Sequence, residues 1–323
     1  MILSRMICDG AGRSFINGIV IWVPGKTGIL KSYLIERSRW MKKSYLIFAL
    51  LIGMVVCLAG TGMAGQTVLD EIMAAGKIKV STDANYAPQS FLNDKGELEG
   101  FDISVAKEMG KRFGVKVEFI TPDWDLITAG KWGKRWDVSI GSMTPTAERK
   151  QALLFTMPYY SSPAQFAVHA KNTTIKTLAD LAGKTIGVAT ETTNERYLNK
   201  NLEIEDVKIV YQTWKPGELK TYPTDANHIE DLTLGDGARL DAVFTSRQTL
   251  AEAIKSGCGK GCPLKMLGDP TYYEPLSFAL DKSRANSKSL VTKLNEILKS
   301  MYDDGTLVKL SMKFYGTDLI PKL

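Results

Sequence analysis

The chain has 323 residues, of which 44% are hydrophobic and 24% are charged, and these values are ordinary for a folded globular protein. Its formal net charge of +6 arises in the first 64 residues, because the remainder carries 33 basic and 33 acidic side chains. A neutral body has no electrostatic reason to bind nucleic acid or an anionic membrane, so we exclude nucleic acid as a partner.

The segment 41–64 has the three parts of a secretory signal peptide. Lys42 and Lys43 form its basic start, an apolar run covers 45–58, and small residues follow as far as Ala64;. The apolar run is shorter than the roughly 20 residues that a membrane-spanning helix needs, although retention as an anchor is the alternative. We therefore expect cleavage after Ala64 and a periplasmic location.

Residues 1–40 have no clear periodicity and precede a signal peptide that carries its own initiator methionine. We interpret them as an upstream extension that is not part of the native protein. A short cytoplasmic tail on an anchored protein is the alternative.

Two of the four cysteines, Cys258 and Cys262, lie close together in CGKGC beyond the leader. Export permits a disulfide, and the two glycines allow a tight loop between the sulfur atoms. A metal site would need further ligands, and His169 and His228 are distant in sequence. The spacing therefore favours a disulfide between Cys258 and Cys262, and we expect no metal and no cofactor.

From about Leu69, short β-rich runs alternate with amphipathic stretches, which predicts an α/β fold with a mostly parallel sheet covered by helices. The predicted strands are 77–81, 115–120, 137–142, 185–190, 207–213, 240–245, 263–268 and 275–280. The predicted helices are 100–114, 124–136, 178–184, 192–200, a helix ending near 234, 247–255, and a long terminal helix over 287–314 that is broken at Asp304 and Gly305.

Two features qualify this pattern. The stretch 214–224 is predicted to be irregular, and 93–96 is predicted to turn a hairpin. No low-complexity linker separates the first series of elements from the second. If the chain forms two lobes, it must cross between them through extended segments, and 165–170 and 273–277 are the candidates.

Several motifs in this order resemble the polar amino-acid-binding proteins of ABC importers, solute-binding family 3. They are STDANYAP, GELEGFDISVAKEM, WDVSIGSMTPTAERK, FTMPYY, LADLAGKTIGVATETTNE, LDAVFT and DDGTLVKLSMKFYG, and together they cover about 69 to 316. The resemblance implies a two-lobed periplasmic-binding fold of type II, in which each lobe is a mixed, mostly parallel sheet flanked by helices. Lobe one would be 69–165 plus 275–323, and lobe two would be 166–274.

The resemblance also implies a site for the carboxylate of the ligand. Arg149 matches the family's arginine that binds the ligand α-carboxylate, since a guanidinium donates two parallel bonds; a surface arginine held by Glu148 is the alternative. Ser142 and Thr144 match groups that bind the same carboxylate, and Thr193, beside Thr192, matches the contact from lobe two. Helix capping is the alternative for all four hydroxyl residues.

Three further positions match residues near the ligand side chain. Tyr86 matches an aromatic residue that packs on it, and Asp83 matches a position that meets the distal cation in relatives selective for basic amino acids. We also place Trp124 near the cleft. Asp83 could instead shape its own loop, and Trp124 could belong to the core.

One departure from the family concerns the α-amino group. After LDAVFT the family usually has an aspartate that binds this group, and this chain has Ser246. A neutral hydroxyl cannot pair with an ammonium as a carboxylate does. Either another acid such as Glu191 or Glu274 takes the task, or the ligand has no free α-amino group. The stretch 214–224 is a second departure.

The resemblance implies a monomeric, non-enzymatic protein that captures a small carboxylate, such as an amino acid, and delivers it by cleft closure to an ABC permease in the inner membrane. The alternative is an enzyme similar to cyclohexadienyl dehydratase, with Glu191 as the proton donor. The sequence after the signal has no nucleophile elbow, zinc motif or P-loop. A freestanding sensor with a separate membrane partner is a third possibility.

Overall fold

The structure, a computed structural model, describes residues 14–16, 19–21, 67–255 and 263–322. The chain divides into two compact units, Met1–Gly65 and Gln66–Leu323. In the first unit, β1 (Ser14–Ile16) and β2 (Ile19–Ile21) form an antiparallel pair. The predicted signal peptide at 41–64 and the predicted disulfide between Cys258 and Cys262 lie outside the described residues.

Strands and helices alternate along the second unit. The strands are β3 (Lys77–Ser81), β4 (Asn85–Tyr86), β5 (Ser90–Leu92), β6 (Leu98–Glu99), β7 (Lys116–Ile120), β8 (Val138–Met143), β9 (Leu153–His169), β10 (Thr185–Ala189), β11 (Glu218–Tyr222), β12 (Ala242–Ser246) and β13 (Leu264–Asp281). The helices are α1 (Val68–Ala75), α2 (Phe101–Phe113), α3 (Trp124–Thr128), α4 (Arg149–Ala152), α5 (Thr193–Leu198), α6 (Asp225–Thr233), α7 (Arg247–Lys255), α8 (Ser287–Asp303) and α9 (Thr306–Tyr315), with a 3-10 helix at Leu178–Leu181. This order confirms the predicted α/β class.

Eight of these strands form one mixed sheet in the order β11-β10-β12-β9-β13-β8-β3-β7. At one end β3 pairs in parallel with β7 and β8, and at the other end β10 pairs in parallel with β11 and β12. The long strands β9 and β13 run antiparallel between these two parallel groups. They therefore connect the two ends of the sheet through extended backbone.

Each end of the sheet has its own hydrophobic core. Around β3 and β8 the core contains Val80, Phe101 and Leu294, all fully buried. Around β10 and β12 it contains Val188 and Phe244, also fully buried. The second unit is thus two-lobed, with lobe one built on β3, β7 and β8 and lobe two on β10, β11 and β12. The predicted lobe bounds fall inside β9 and β13, and they stay a prediction.

Left-handed glycines end two helices where the sequence predicted an end. Gly114 follows α2 with φ of 78°, and Gly305 separates α8 from α9 with φ of 72°. Glycine adopts this conformation without the steric cost of a Cβ atom. The break at Asp304 and Gly305 and the hairpin at 93–96, which joins β5 to β6, are confirmed.

The predicted helix over 124–136 is wrong beyond its first turn. The helix α3 ends at Thr128, because the following backbone turns left-handed at Gly130, Lys131, Gly133 and Lys134. Right-handed helix cannot continue through such residues. The apolar spacing that suggested a helix instead buries two tryptophans in lobe one.

The predicted strand at 207–213 is also wrong, and the strand β11 lies within the stretch that was predicted to be irregular. In this stretch Val207, Ile209 and Tyr211 pack on the core of lobe two. Side-chain hydroxyls bond their backbone, since the Tyr197 hydroxyl donates to the carbonyl of Val210 and accepts from the N–H of Gln212. These bonds satisfy backbone groups that would pair with a neighbouring strand if 207–213 were a strand. Likewise, the two strands predicted at 263–268 and 275–280 form one strand, β13, because the backbone between them continues to pair with β9.

Candidate functional site

A cavity of about 60 Å³ lies between the lobes, beyond the carboxyl ends of β3, β8, β10 and β11. Ligands of open α/β sheets bind at such strand ends. Both lobes and β13 line it, with Asp83, Tyr86, Trp124, Gly141, Ser142, Thr144, Arg149, Ala189, Thr192, Thr193, Asn194, Pro223, Thr224, Asp225 and Glu274. A wider recess of about 610 Å³ adjoins it and shares Asp83 and Trp124.

The structure brings eight of the nine predicted ligand residues to this cavity, and Ser246 is the exception. The hydroxyl of Ser246 accepts a bond from Gln89 at 3.1 Å and donates to Thr249 at 2.9 Å. The residue is 2% exposed. Its polar group is therefore used in a contact between the lobes.

Arg149 is a buried cation at the start of α4, with 5% of its surface exposed. Its Nη1 donates to the carbonyl of Thr144 at 3.1 Å and its Nη2 to the carbonyl of Glu191 at 2.7 Å. The guanidinium carbon lies 5.2 Å from the ring centroid of Trp124. Burial lowers the pKa of Arg149 to about 10, because the charged form loses its hydration.

No carboxylate oxygen of a described residue lies within 4 Å of the Arg149 guanidinium. A guanidinium has five N–H groups, and two of them donate to carbonyl oxygens here. Its buried Nε has no hydrogen-bond partner among the described residues. The cavity therefore contains a fixed positive charge with donors to spare, which is the chemistry of an anion site.

Ser142 sits between the cavity and a polar network inside lobe one. Its backbone is left-handed, with φ of 55°, and its hydroxyl donates to the Asp102 carboxylate at 2.7 Å. The Asp102 carboxylate also accepts from the Tyr159 hydroxyl at 2.6 Å, and the Tyr160 hydroxyl lies 2.6 Å from the Ser142 hydroxyl. Burial raises the pKa of Asp102 to about 7. These bonds hold Ser142 in a conformation that is unusual for a residue other than glycine.

Two threonines, one from each lobe, donate to the same carboxylate oxygen. The Thr144 hydroxyl donates to Oε2 of Glu274 at 2.5 Å, and the Thr193 hydroxyl donates to it at 2.7 Å. Glu274 belongs to β13 and is 6% exposed, and burial raises its pKa. Thr192 instead caps α5, accepting from the N–H of Glu195, so its hydroxyl has the capping role that the sequence left open.

Two further acids, Asp83 and Asp225, line the cavity. Asp83 accepts a bond from the N–H of Asn85 at 2.7 Å, and Asp225 lies 2.8 Å from Nε2 of His228. Burial raises the pKa of Asp83, and the negative charge of Asp225 adds to this rise. Sequence reasoning missed Asp225, because it placed the preceding strand at 207–213. The run Thr224-Asp225 at a strand end, where Thr224 caps α6, was the available signal.

Further contacts join the two lobes outside the cavity. Arg196 of lobe two bonds Glu148 of lobe one at 2.6 Å, and Lys150 pairs with Glu205. The N–H of Ala147 donates to the carbonyl of Glu203 at 3.1 Å. The cleft between the lobes is therefore closed in this structure.

The carboxylate of Glu191 points to Arg196, at 2.7 Å, and does not line the cavity. Its carbonyl alone reaches across to Arg149 and to the indole N–H of Trp124. Of the two acids that the sequence offered as partners for an α-amino group, the structure brings Glu274 into the cavity.

Within the described ranges, no group of three or more His, Cys, Asp or Glu side chains could hold a metal ion. The same residues include no helix with the length and apolar character needed to cross a membrane.

Known proteins with the same fold are similar to this chain in sequence and in structure. The two-lobed α/β architecture with a cleft at the strand ends defines a periplasmic-binding protein of type II. The model of the bacterial extracellular solute-binding proteins, family 3, matches residues 78–317. The chain belongs to this family.

Individual relatives are similar over most of their length. The chain is 30% identical to the L-cystine-binding protein TcyJ of Escherichia coli, over 86% of this chain and 99% of the relative. It is 32% identical to the ABC transporter arginine-binding protein 1 of Escherichia coli, over 75% of this chain and 92% of the relative. The crystal structure of the ancestral amino acid-binding protein AncCDT-1, a precursor of cyclohexadienyl dehydratase, is 32% identical with a TM-score of 0.65, over 77% of this chain and 100% of that one.

Proposed function

We propose that the protein captures an amino acid in the cleft and delivers it, by closure of the two lobes, to the permease of an ABC importer. The observation that carries this proposal is the buried Arg149, which has no carboxylate of a described residue within 4 Å. A buried charge without a partner is costly. A ligand carboxylate would complete the site with two parallel charge-assisted bonds.

Arg149 and Thr193 bind the carboxylate from opposite lobes in this proposal. Arg149 belongs to lobe one, and Thr193 begins α5 of lobe two, where the free N–H groups and the helix dipole favour an anion;. Ser142 and Thr144 contribute from the end of β8. Closure is favoured by the ligand because only the closed form makes both sets of contacts.

The opposite wall recognises the ligand side chain, with Tyr86 packing on its apolar part. Asp83 and Asp225 line this wall, and their mutual repulsion would be relieved by a cationic or strongly polar group;. The named relatives bind L-cystine and arginine, both of which have polar distal ends. Trp124 covers the Arg149 guanidinium and would shield the bound carboxylate from water.

Several properties of the exported protein belong to the same proposal. The chain is secreted to the periplasm by the signal peptide at 41–64, acts as a monomer, and has a disulfide between Cys258 and Cys262. The lobes are 69–165 plus 275–323 and 166–274. The central parts of β9 and β13 act as the hinge, since among the described strands these two carry the chain between the parallel groups;.

An enzyme similar to cyclohexadienyl dehydratase is the second candidate function. It is favoured by the similarity to AncCDT-1, a precursor of that enzyme. Dehydration would need a proton donor in the cleft. The Glu191 carboxylate bonds Arg196 outside the cavity, which does not favour Glu191 in this role. An assay of the purified protein for release of product from prephenate and arogenate decides between the two functions.

A thermal-shift screen tests the binding function directly. The probes are the twenty standard L-amino acids and L-cystine, and a ligand present at 100 times its Kd stabilises the folded protein by about 2.7 kcal/mol. We expect at least one probe to raise the unfolding temperature by several degrees in the wild type and not in Arg149→Met. If no probe stabilises the wild type, the proposed function is wrong.

A further inference from the structure

We propose that Glu274 binds the α-ammonium group of the ligand, which replaces the acid expected at Ser246 and restricts the site to carboxylates with a free amine. This inference rests on the proposed function. It assigns to the crossing strand β13 a contact that the sequence pattern of the family places at the end of β12.

Glu274 lies where a bound zwitterion needs a negative charge. It lines the same cavity as Arg149, yet none of its oxygens is within 4 Å of a basic nitrogen among the described residues. The cavity therefore contains a buried guanidinium and a buried carboxylate more than 4 Å apart. A ligand that carries both charges would complement the two groups at once.

The two charged groups converge on a single residue, Thr144. Its carbonyl accepts from Nη1 of Arg149, and its hydroxyl donates to Oε2 of Glu274. The carboxylate and the ammonium of an amino acid are attached to the same carbon atom. A pair of complementary charges on either side of one residue therefore matches the α-carbon end of an amino acid, with the side chain directed to Asp83 and Asp225.

The carboxylate of Glu274 is held in place and keeps one oxygen available. Its Oε2 accepts from Thr144 and Thr193, while Oε1 accepts no hydrogen bond from any residue in the part of the chain that the structure describes. Fixed orientation with one free oxygen suits an acceptor for an ammonium N–H. Since Thr144 and Thr193 belong to different lobes, both hold Glu274 in place only when the cleft is closed. The ammonium contact therefore favours the closed form.

The other polar groups that could be considered for the ammonium have different partners. The hydroxyl of Ser246 bonds Gln89 and Thr249, and the carboxylate of Glu191 bonds Arg196. Asp225 bonds His228. Glu274 is thus the acid that faces the cavity beside the carboxylate site.

The test compares free amino acids with their Nα-acetyl derivatives. Calorimetry measures the affinity of the twenty standard L-amino acids, L-cystine and the acetylated counterpart of each for the wild type and for Glu274→Gln. Glutamine has the same shape, and its amide oxygen can accept both threonine hydroxyls, so the variant is expected to fold. Glu296→Gln, a change on the surface of α8, controls for the substitution itself, and thermal unfolding checks that both variants are folded.

We expect the wild type and Glu296→Gln to bind the free amino acid at least 100-fold more tightly than its acetylated form. In Glu274→Gln we expect the affinity for the free amino acid to fall by at least tenfold and the preference over the acetylated form to fall below tenfold. A folded Glu274→Gln that keeps the wild-type preference overturns the inference and leaves the proposed function intact. A wild type that binds none of the free amino acids overturns both.

Discussion

The buried guanidinium of Arg149 leads to a prediction in which a single substitution changes stability and ligand binding in opposite directions. Removing one member of a buried ion pair destabilises a protein by about 3–5 kcal/mol, because a charge is left unpaired. Arg149 has no such partner within 4 Å among the described residues. The substitution Arg149→Met keeps an apolar side chain against Trp124 and removes the charge without breaking an ion pair within 4 Å, although the buried carboxylate of Glu274 loses its longer-range attraction to that charge.

The size of the effect follows from the pKa. Burial lowers the pKa of Arg149 from its ordinary value to about 10, so Arg149 stays charged below about pH 10 and the fold bears the full cost of that buried charge there. At about 1.36 kcal/mol for each pKa unit, the charge costs the ligand-free fold about 3 kcal/mol. The two carbonyl oxygens that lose a donor cost about 1 kcal/mol each. We expect Arg149→Met to be more stable than the wild type by about 1 kcal/mol.

Binding changes in the opposite direction. Two hydrogen bonds from a charged donor contribute about 1.5–3 kcal/mol each, so the affinity for an amino acid falls by about 10²–10⁴-fold. Urea unfolding and calorimetry measure the two effects, with Arg239→Met on the surface as the control. A loss of stability of more than about 2 kcal/mol, or an affinity within tenfold of the wild type, would refute this reasoning.

Two further predictions concern groups around the cavity. Burial raises the pKa of Asp102 to about 7 in the folded protein, so the stabilisation from the protonated carboxyl is lost as pH rises from about 4 to 7. In urea unfolding, the free energy of unfolding of the wild type should fall by up to about 4 kcal/mol relative to that of Asp102→Asn between pH 4 and pH 8. A difference between the two proteins that does not change with pH contradicts the burial of this carboxyl. Arg196→Gln removes an ion pair between the lobes and should weaken ligand binding by up to about 1 kcal/mol, less at high salt. An unchanged affinity at low salt in calorimetry would show that this ion pair does not support closure.

The helix ends and the succession of strands and helices along the chain were predictable where local chemistry decides them. Gly114 and Gly305 end helices because only glycine adopts the left-handed backbone freely, and this is visible in the residues themselves;. The alternation of strands and helices likewise predicted the α/β class with a mostly parallel sheet. These features depend on short segments, so the sequence pattern is sufficient.

The wrong predictions arose where distant contacts decide the structure. The apolar alternation of 207–213 is typical of a strand, but Tyr197 bonds that backbone from α5 and no ladder forms. Lys131 and Lys134 adopt the left-handed backbone conformation, and a lysine in the sequence does not predict this conformation. Both outcomes depend on the packing of residues far apart in sequence.

In the candidate site, too, features set by a local motif were predictable and features set by distant contacts were not. Arg149 could be proposed from its motif, and the cavity contains it. The position of Asp225 depended on the strand β11, which was placed in the wrong segment. The choice between Glu191 and Glu274 depended on which side chain faces the cavity, and a sequence carries no information about the ion pair between Arg196 and Glu191.

The central claim is that a carboxylate of the ligand binds Arg149 between the closing lobes. Decarboxylated analogues test it most directly, because agmatine lacks only the carboxylate of arginine and cystamine lacks only the two carboxylates of cystine. Calorimetry on the wild type should show that whichever amino acid binds loses at least 100-fold in affinity when its carboxylate is removed. An amine that binds as tightly as its parent amino acid would contradict the claim.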